Sequence, residues 1–217
     1  MAGYELLAAP GCGSVIVEGA LALTGTAATV TIASPYEPGP GRDRLCRLNP
    51  LAQVPVLILP DGPDGPDGPD GEVMTESAAM ILHLADRFPG SGLAPPADAP
   101  DRPRFLRWLV FLVGAVYPTF TFGDVPARYV TGDAAEAELR RRSDEARQVL
   151  YRQMEAAAGR PWFLGDRFSA IDLYLAALVN WRPRRDWFAA ECPALAAIAD
   201  RTAALPVLAP IWDRNFG

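Results

Sequence analysis

Through the first ninety residues, compact apolar runs alternate with stretches whose apolar positions recur at helical spacing. Tyr4–Ala8 is a short apolar run closed by Pro10-Gly11, which predicts a strand. Ser14–Thr24 carries Val15, Ile16, Ala20 and Leu23, a spacing that predicts a buried helix. Ala28–Ile32 alternates threonine with aliphatic residues and predicts a second strand. Pro35–Gly41 reads as a loop, and Arg42–Leu48 as a short helix stopped by Asn49-Pro50. Val56–Leu59 and Glu72–Met74 predict two further strands. A helix over 75–88, with Ala79, Ile81, Leu82 and Leu84 on its apolar side, ends at Pro89-Gly90.

From Gly90 to Pro103 the chain turns rich in proline and glycine, as an interdomain linker does. Beyond it no strand pattern recurs. Phe105–Phe122 predicts one long aromatic helix with a bend at Pro118. Ala134–Ala158 is charged on one side and carries Leu139, Ala146, Leu150 and Met154 on the other. Ser169–Trp181 and Pro193–Leu205 predict two more helices. The strands and helices thus divide into an α/β domain over 1–89, a linker over 90–102 and an all-helical domain over 103–217. The β-α-β then β-β-α order of the first is a thioredoxin-like pattern.

Composition narrows the class of partner. All 20 basic residues are arginine, which with the abundant Ala, Gly and Pro reads as the codon bias of a GC-rich genome. A net charge of −6 argues against steering toward nucleic acid or an anionic membrane. The longest apolar stretch, Trp108–Tyr117, is shorter than a bilayer span. The opening Met1-Ala2-Gly3-Tyr4-Glu5 lacks the basic segment of a secretory signal. Cys12, Cys46 and Cys192 are odd in number and lack metal-ligand spacing, so a reduced, cytoplasmic protein without metal is expected. His83, the one histidine, sits in an apolar helix, a place that suits packing better than catalysis. Asp61–Gly71 holds three Gly-Pro-Asp repeats, an expansion of a surface turn that costs little in loop entropy.

Candidate chemistry gathers at three turns. Pro10-Gly11-Cys12-Gly13-Ser14 joins the first strand to the first helix, where amide donors and the helix dipole favour a thiolate at Cys12. Ser14 competes, either as a hydroxyl donor to an anion or as a helix cap. Val15 removes any CxxC dithiol. Gln53-Val54-Pro55 opens the third strand, and Thr75-Glu76-Ser77 opens the following helix with its unpaired amides. Together these turns resemble the glutathione-binding half of the glutathione transferase superfamily, and the helical second half extends the resemblance over nearly the whole chain. Ser169-Ala170-Ile171-Asp172 is a capping-box pattern flanked by Phe168 and Leu173 and resembles a structural hallmark of the second domain in that family.

The resemblance implies a thioredoxin-like domain followed by a helical-bundle domain. Glutathione would be the co-substrate, with no other cofactor. Gln53 and the Val54 backbone, with Pro55 cis, would hold its peptide; Glu76 and Ser77 would hold its γ-glutamyl end. Cys12 or Ser14 would face its sulfur. Tyr117 and Phe120 would line an apolar pocket for a small electrophile. The family usually forms homodimers. A Tyr-type mechanism is disfavoured, since Leu7 stands near the place of that tyrosine. A non-enzymatic interaction module on the same fold is the alternative.

Overall fold

In a computed structural model that describes residues 3–60 and 72–217, the chain divides into two compact units. The first comprises Met1–Ala94 with Ala203–Gly217, and the second Pro95–Thr202. The Gly-Pro-Asp repeat lies outside the described residues.

The first unit is built on a four-stranded sheet. β1 (Tyr4–Ala8) and β2 (Ala28–Ile32) run parallel, joined by α1 (Ser14–Thr24). β3 (Val56–Ile58) runs antiparallel to β1, and β4 (Val73–Met74) antiparallel to β3. The order is therefore β2-β1-β3-β4, a thioredoxin-like arrangement. Strand alternation sends β1 side chains to two different layers. Leu7 meets Leu45 of α2 (Pro40–Leu48) in a cluster with Ala33, Val56 and Ile58. Glu5, on the same side, is gripped by Arg44 at 2.6 Å. Tyr4 points the other way, onto α3 (Ser77–Arg87), where its hydroxyl lies 3.3 Å from Nε2 of His83. The histidine is thus a packed, hydrogen-bonded residue.

The second unit is helical. α4 (Arg102–Phe111) runs through a π-helical segment, Leu112–Val116, into α5 (Tyr117–Asp124). Pro118, two residues beyond that segment, lacks the amide that would continue the regular ladder, and π-bulges are one way a helix absorbs such a break. The whole run, Arg102–Asp124, is long and apolar enough to cross a membrane, longer than the Trp108–Tyr117 stretch suggested. Its Phe105, Trp108, Leu109, Leu112 and Val116 nevertheless share one face and are buried. α6 (Asp133–Ala157) corrects the expected apolar side. Ser143, Arg147, Tyr151 and Met154 are its buried residues, while Ala146 is exposed. Arg147 is fully buried because its guanidinium is answered on every side. It donates to the Thr119 hydroxyl (2.8 Å), the Thr119 carbonyl (2.9 Å) and Asp144 (2.8 Å), and lies 3.7 Å from the Phe120 ring centroid. α7 (Ala170–Leu178) is buried along its whole length and opens on the expected reciprocal capping box of Ser169 and Asp172. α8 (Arg185–Glu191) and α9 (Pro193–Ala203) follow. α10 (Ala209–Phe216), which the sequence pattern does not reveal, belongs with the first unit.

Candidate functional site

Strand register brings the three candidate turns of the first unit to one end of its sheet. Leu7 pairs with Val56, so continuing that register sets Ala9 opposite Val54. Leu57 pairs with Met74, the last residue of β4, so the segment that follows leaves the sheet at the same end. The segment after β1, the segment before β3 and the segment after β4 therefore end side by side.

The first of these segments is tightly wired. Ser14 is 1% exposed, and its hydroxyl both donates to the Ala9 carbonyl and accepts the Ala9 amide, each at 3.1 Å. It does not cap α1; Gly13 occupies the N-cap position. The Cys12 amide donates to the Ala9 carbonyl at 3.2 Å, and the Cys12 and Gly13 carbonyls accept the amides of Val15 and Ile16. The half-buried Cys12 thiol departs from the expectation of an acidified sulfur, because burial pushes its pKa up. Ser14→Ala should strip both Ala9 groups of their partner and lower the unfolding free energy by about 1–3 kcal/mol, measurable by urea titration.

The second segment presents backbone. Val54–Pro55 is a cis peptide. The Val54 side chain packs against the Leu7–Leu45 cluster. Among the described residues, no turn or loop bond engages the Val54 N–H or C=O. Asn49, 6% exposed, braces the approach by donating to the Gln53 carbonyl (2.9 Å) and accepting the Leu51 amide (3.1 Å). Gln53 itself is exposed. The sequence pattern marks Asn49 only as a helix stop; its bracing role depends on a turn geometry that the pattern does not encode.

The third segment is strained. Glu76 has φ 65° and ψ 103°, left-handed backbone that costs a non-glycine residue about 1–3 kcal/mol. Its side chain is exposed, and no side-chain hydrogen bond caps α3, which starts at Ser77.

Tyr117 and Phe120 stand in the helical unit. Their rings meet at 6.4 Å between centroids, and both contact Trp181, at 6.0 and 5.5 Å. Tyr117 also meets Tyr174 at 5.9 Å. The Tyr117 hydroxyl is buried without a hydrogen-bond partner, and burial drives its pKa well above the ordinary value. Neither ring is an isolated wall; each belongs to one aromatic cluster. No group of three or more His, Cys, Asp or Glu that could hold a metal ion occurs among the described residues.

Comparison with known proteins gives the same frame. Residues 15–87 match the family described as glutathione S-transferase, N-terminal domain. The uncharacterized GST-like protein YncG of Escherichia coli K12 is 38% identical over 208 residues, covering 95% of each chain. Among solved structures, a sphingomonad glutathione S-transferase complexed with glutathione is 28% identical, with a TM-score of 0.73, covering 96% of this chain and 97% of that one. A glutathione transferase homolog from sulfitobacter with bound glutathione reaches a TM-score of 0.83 over 100% of both chains, at 22% identity, a likeness of fold. From the full-length relative and the matching first domain, the chain belongs to the glutathione S-transferase family.

Proposed function

We propose that this protein is a glutathione-dependent transferase that binds the tripeptide across the end of the first unit's sheet. The observation that carries this reading is the sheet register, which pairs Leu7 with Val56 and Leu57 with Met74 and so brings the segments of Ala9, Val54 and Ser77 to one end of the sheet. Two strand gaps of about 4.8 Å set the outer segments about 10 Å apart, the reach of an extended peptide of three units. The Val54 N–H and C=O are suited to pair with the cysteinyl unit in the manner of an added strand. Gln53 would reach the peptide with its side chain. Ser77 and the uncapped start of α3 suit the γ-glutamyl carboxylate, and Glu76 its ammonium. Backbone strain at Glu76 is the kind of local cost that persists where a side chain must be aimed.

Cys12, rather than Ser14, is assigned to the glutathione sulfur, because both hydrogen-bonding capacities of the Ser14 hydroxyl go to Ala9. A protonated Cys12 thiol acts there as a donor to the glutathione thiolate. Glutathione releases its proton to solvent, and the thiolate attacks an electrophilic carbon, whose leaving group departs with the bonding pair. Tyr117 and Phe120 are proposed to offer the apolar surface for that electrophile, and the enzyme is proposed to work as a homodimer in the cytoplasm.

Calorimetric titration with glutathione tests the binding half. The wild type should bind saturably. Glu76→Gly should weaken binding about tenfold, about 1.4 kcal/mol, without loss of thermal stability, because glycine accepts the left-handed backbone. Absence of binding by the wild type would refute the reading.

A further inference from the structure

The last turn of the chain reaches back to the turn that carries Cys12. Asn215, in α10, accepts the Gly11 amide through Oδ1 at 3.1 Å, across 204 positions of sequence. Its Nδ2 donates to the Ile211 carbonyl at 2.9 Å, which fixes the side chain against its own helix. The neighbouring Arg214 pairs with Glu18 of α1, and Glu18 is 7% exposed. Gly11 itself has φ 70°, a left-handed conformation natural to glycine, so its peptide is oriented by what holds it. Cys12 therefore sits between two anchors. On one side Ser14 is bonded to Ala9; on the other Asn215 holds Gly11.

We infer that Asn215 is a positioning residue for the Cys12 thiol, acting through the Gly11 peptide. The Ser14–Ala9 bonds close the turn on itself, and the Asn215 bond ties its Gly11 peptide to α10. Asn215 supplies that fixed point, and with it the half-buried setting of the sulfur. Its bearing on catalysis rests on the assignment of Cys12 to the glutathione sulfur; its bearing on the thiol does not.

The test follows iodoacetamide alkylation from pH 6 to 10, scored by mass spectrometry on the Cys12 peptide so that Cys46 and Cys192 do not contribute. Asn215→Ala should speed alkylation of Cys12 at pH 8 about fivefold, because a loosened turn exposes the thiol and lowers its pKa. The same variant should slow glutathione-dependent kcat about tenfold, since a displaced group no longer meets the reacting sulfur. Asn215→Asp keeps an acceptor for the Gly11 amide but sets a carboxylate oxygen against the Ile211 carbonyl and the Glu18 carboxylate, so it should bring the Cys12 alkylation rate only part of the way back toward the wild type. Arg214→Ala, which removes the ion pair to Glu18 and leaves Gly11 untouched, should leave the alkylation profile unchanged. An Asn215→Ala profile that overlays the wild type would overturn the inference. So would an equal shift in Arg214→Ala, which would trace the effect to docking of the helix in general. Full activity in Cys12→Ala would instead refute the catalytic assignment while leaving the alkylation result standing.

Discussion

Cys12→Ala should lower kcat/KM for glutathione conjugation to chlorodinitrobenzene about a hundredfold, with thermal stability retained. The thiol is half-buried and is pushed toward its protonated form by desolvation. Its contribution is therefore a single aimed donor. Removing one such donor to a reacting anion typically costs a hundredfold or somewhat more. Without the donor, the glutathione thiol in the complex titrates at higher pH, so the alkaline rise of kcat should move upward. Cys12→Ser restores a donor and should recover activity to within about tenfold of the wild type. If Cys12→Ser is instead as impaired as Cys12→Ala, a hydrogen-bond donor at this position is not what supports conjugation, and the assigned role of Cys12 is refuted.

Asp172→Ala should destabilise the helical unit by about 3 kcal/mol. Oδ2 of Asp172 accepts the Ser169 amide at 2.7 Å, and Oδ1 accepts the Phe163 amide at 2.8 Å, all buried. Alanine leaves both amides without a partner, at about 1–3 kcal/mol each, partly offset by removal of a buried carboxylate. Thermal unfolding should drop by about 6–12 °C. Burial also raises the Asp172 pKa from 3.8 to about 6, against the pull of the two amides. A raised carboxylate pKa means the folded form binds the proton more tightly. Its stabilising contribution is complete below pH 4 and is lost as pH rises through about 6, a change on the order of 2–3 kcal/mol. Asp172→Asn should abolish that portion of the pH dependence in urea titrations. An unchanged profile would show that another group controls it.

Elements bounded by local chemistry were legible. Tyr4–Ala8, Ser14–Thr24 and Ala28–Ile32 form where their apolar runs meet glycine and proline stops, and the Ser169–Asp172 box needs only four adjacent residues. What depended on distant partners was not. Arg147 counts as polar in any periodicity, yet is buried because Thr119, 28 positions away, supplies two acceptors. The gripping of Gly11 by Asn215 leaves no trace in local pattern at all. Within the site, the sequence marked the three turns but could not choose between Cys12 and Ser14. That choice turns on whether the Ser14 hydroxyl has spare capacity, and the Ala9 backbone takes both its bonds. The left-handed Glu76 was equally hidden, since nothing about a glutamate announces positive φ.

Glutathione is proposed to lie across the segments of Ala9, Val54 and Ser77 with its sulfur at Cys12. A crystal soaked with glutathione tests it most directly. The expected density shows the cysteinyl unit paired with the Val54 backbone, the γ-glutamyl end at Glu76 and Ser77, and Cys12 Sγ as the nearest protein atom to the glutathione sulfur, within about 4 Å. A sulfur nearest Ser14 or an aromatic hydroxyl, or a tripeptide bound elsewhere, would contradict it.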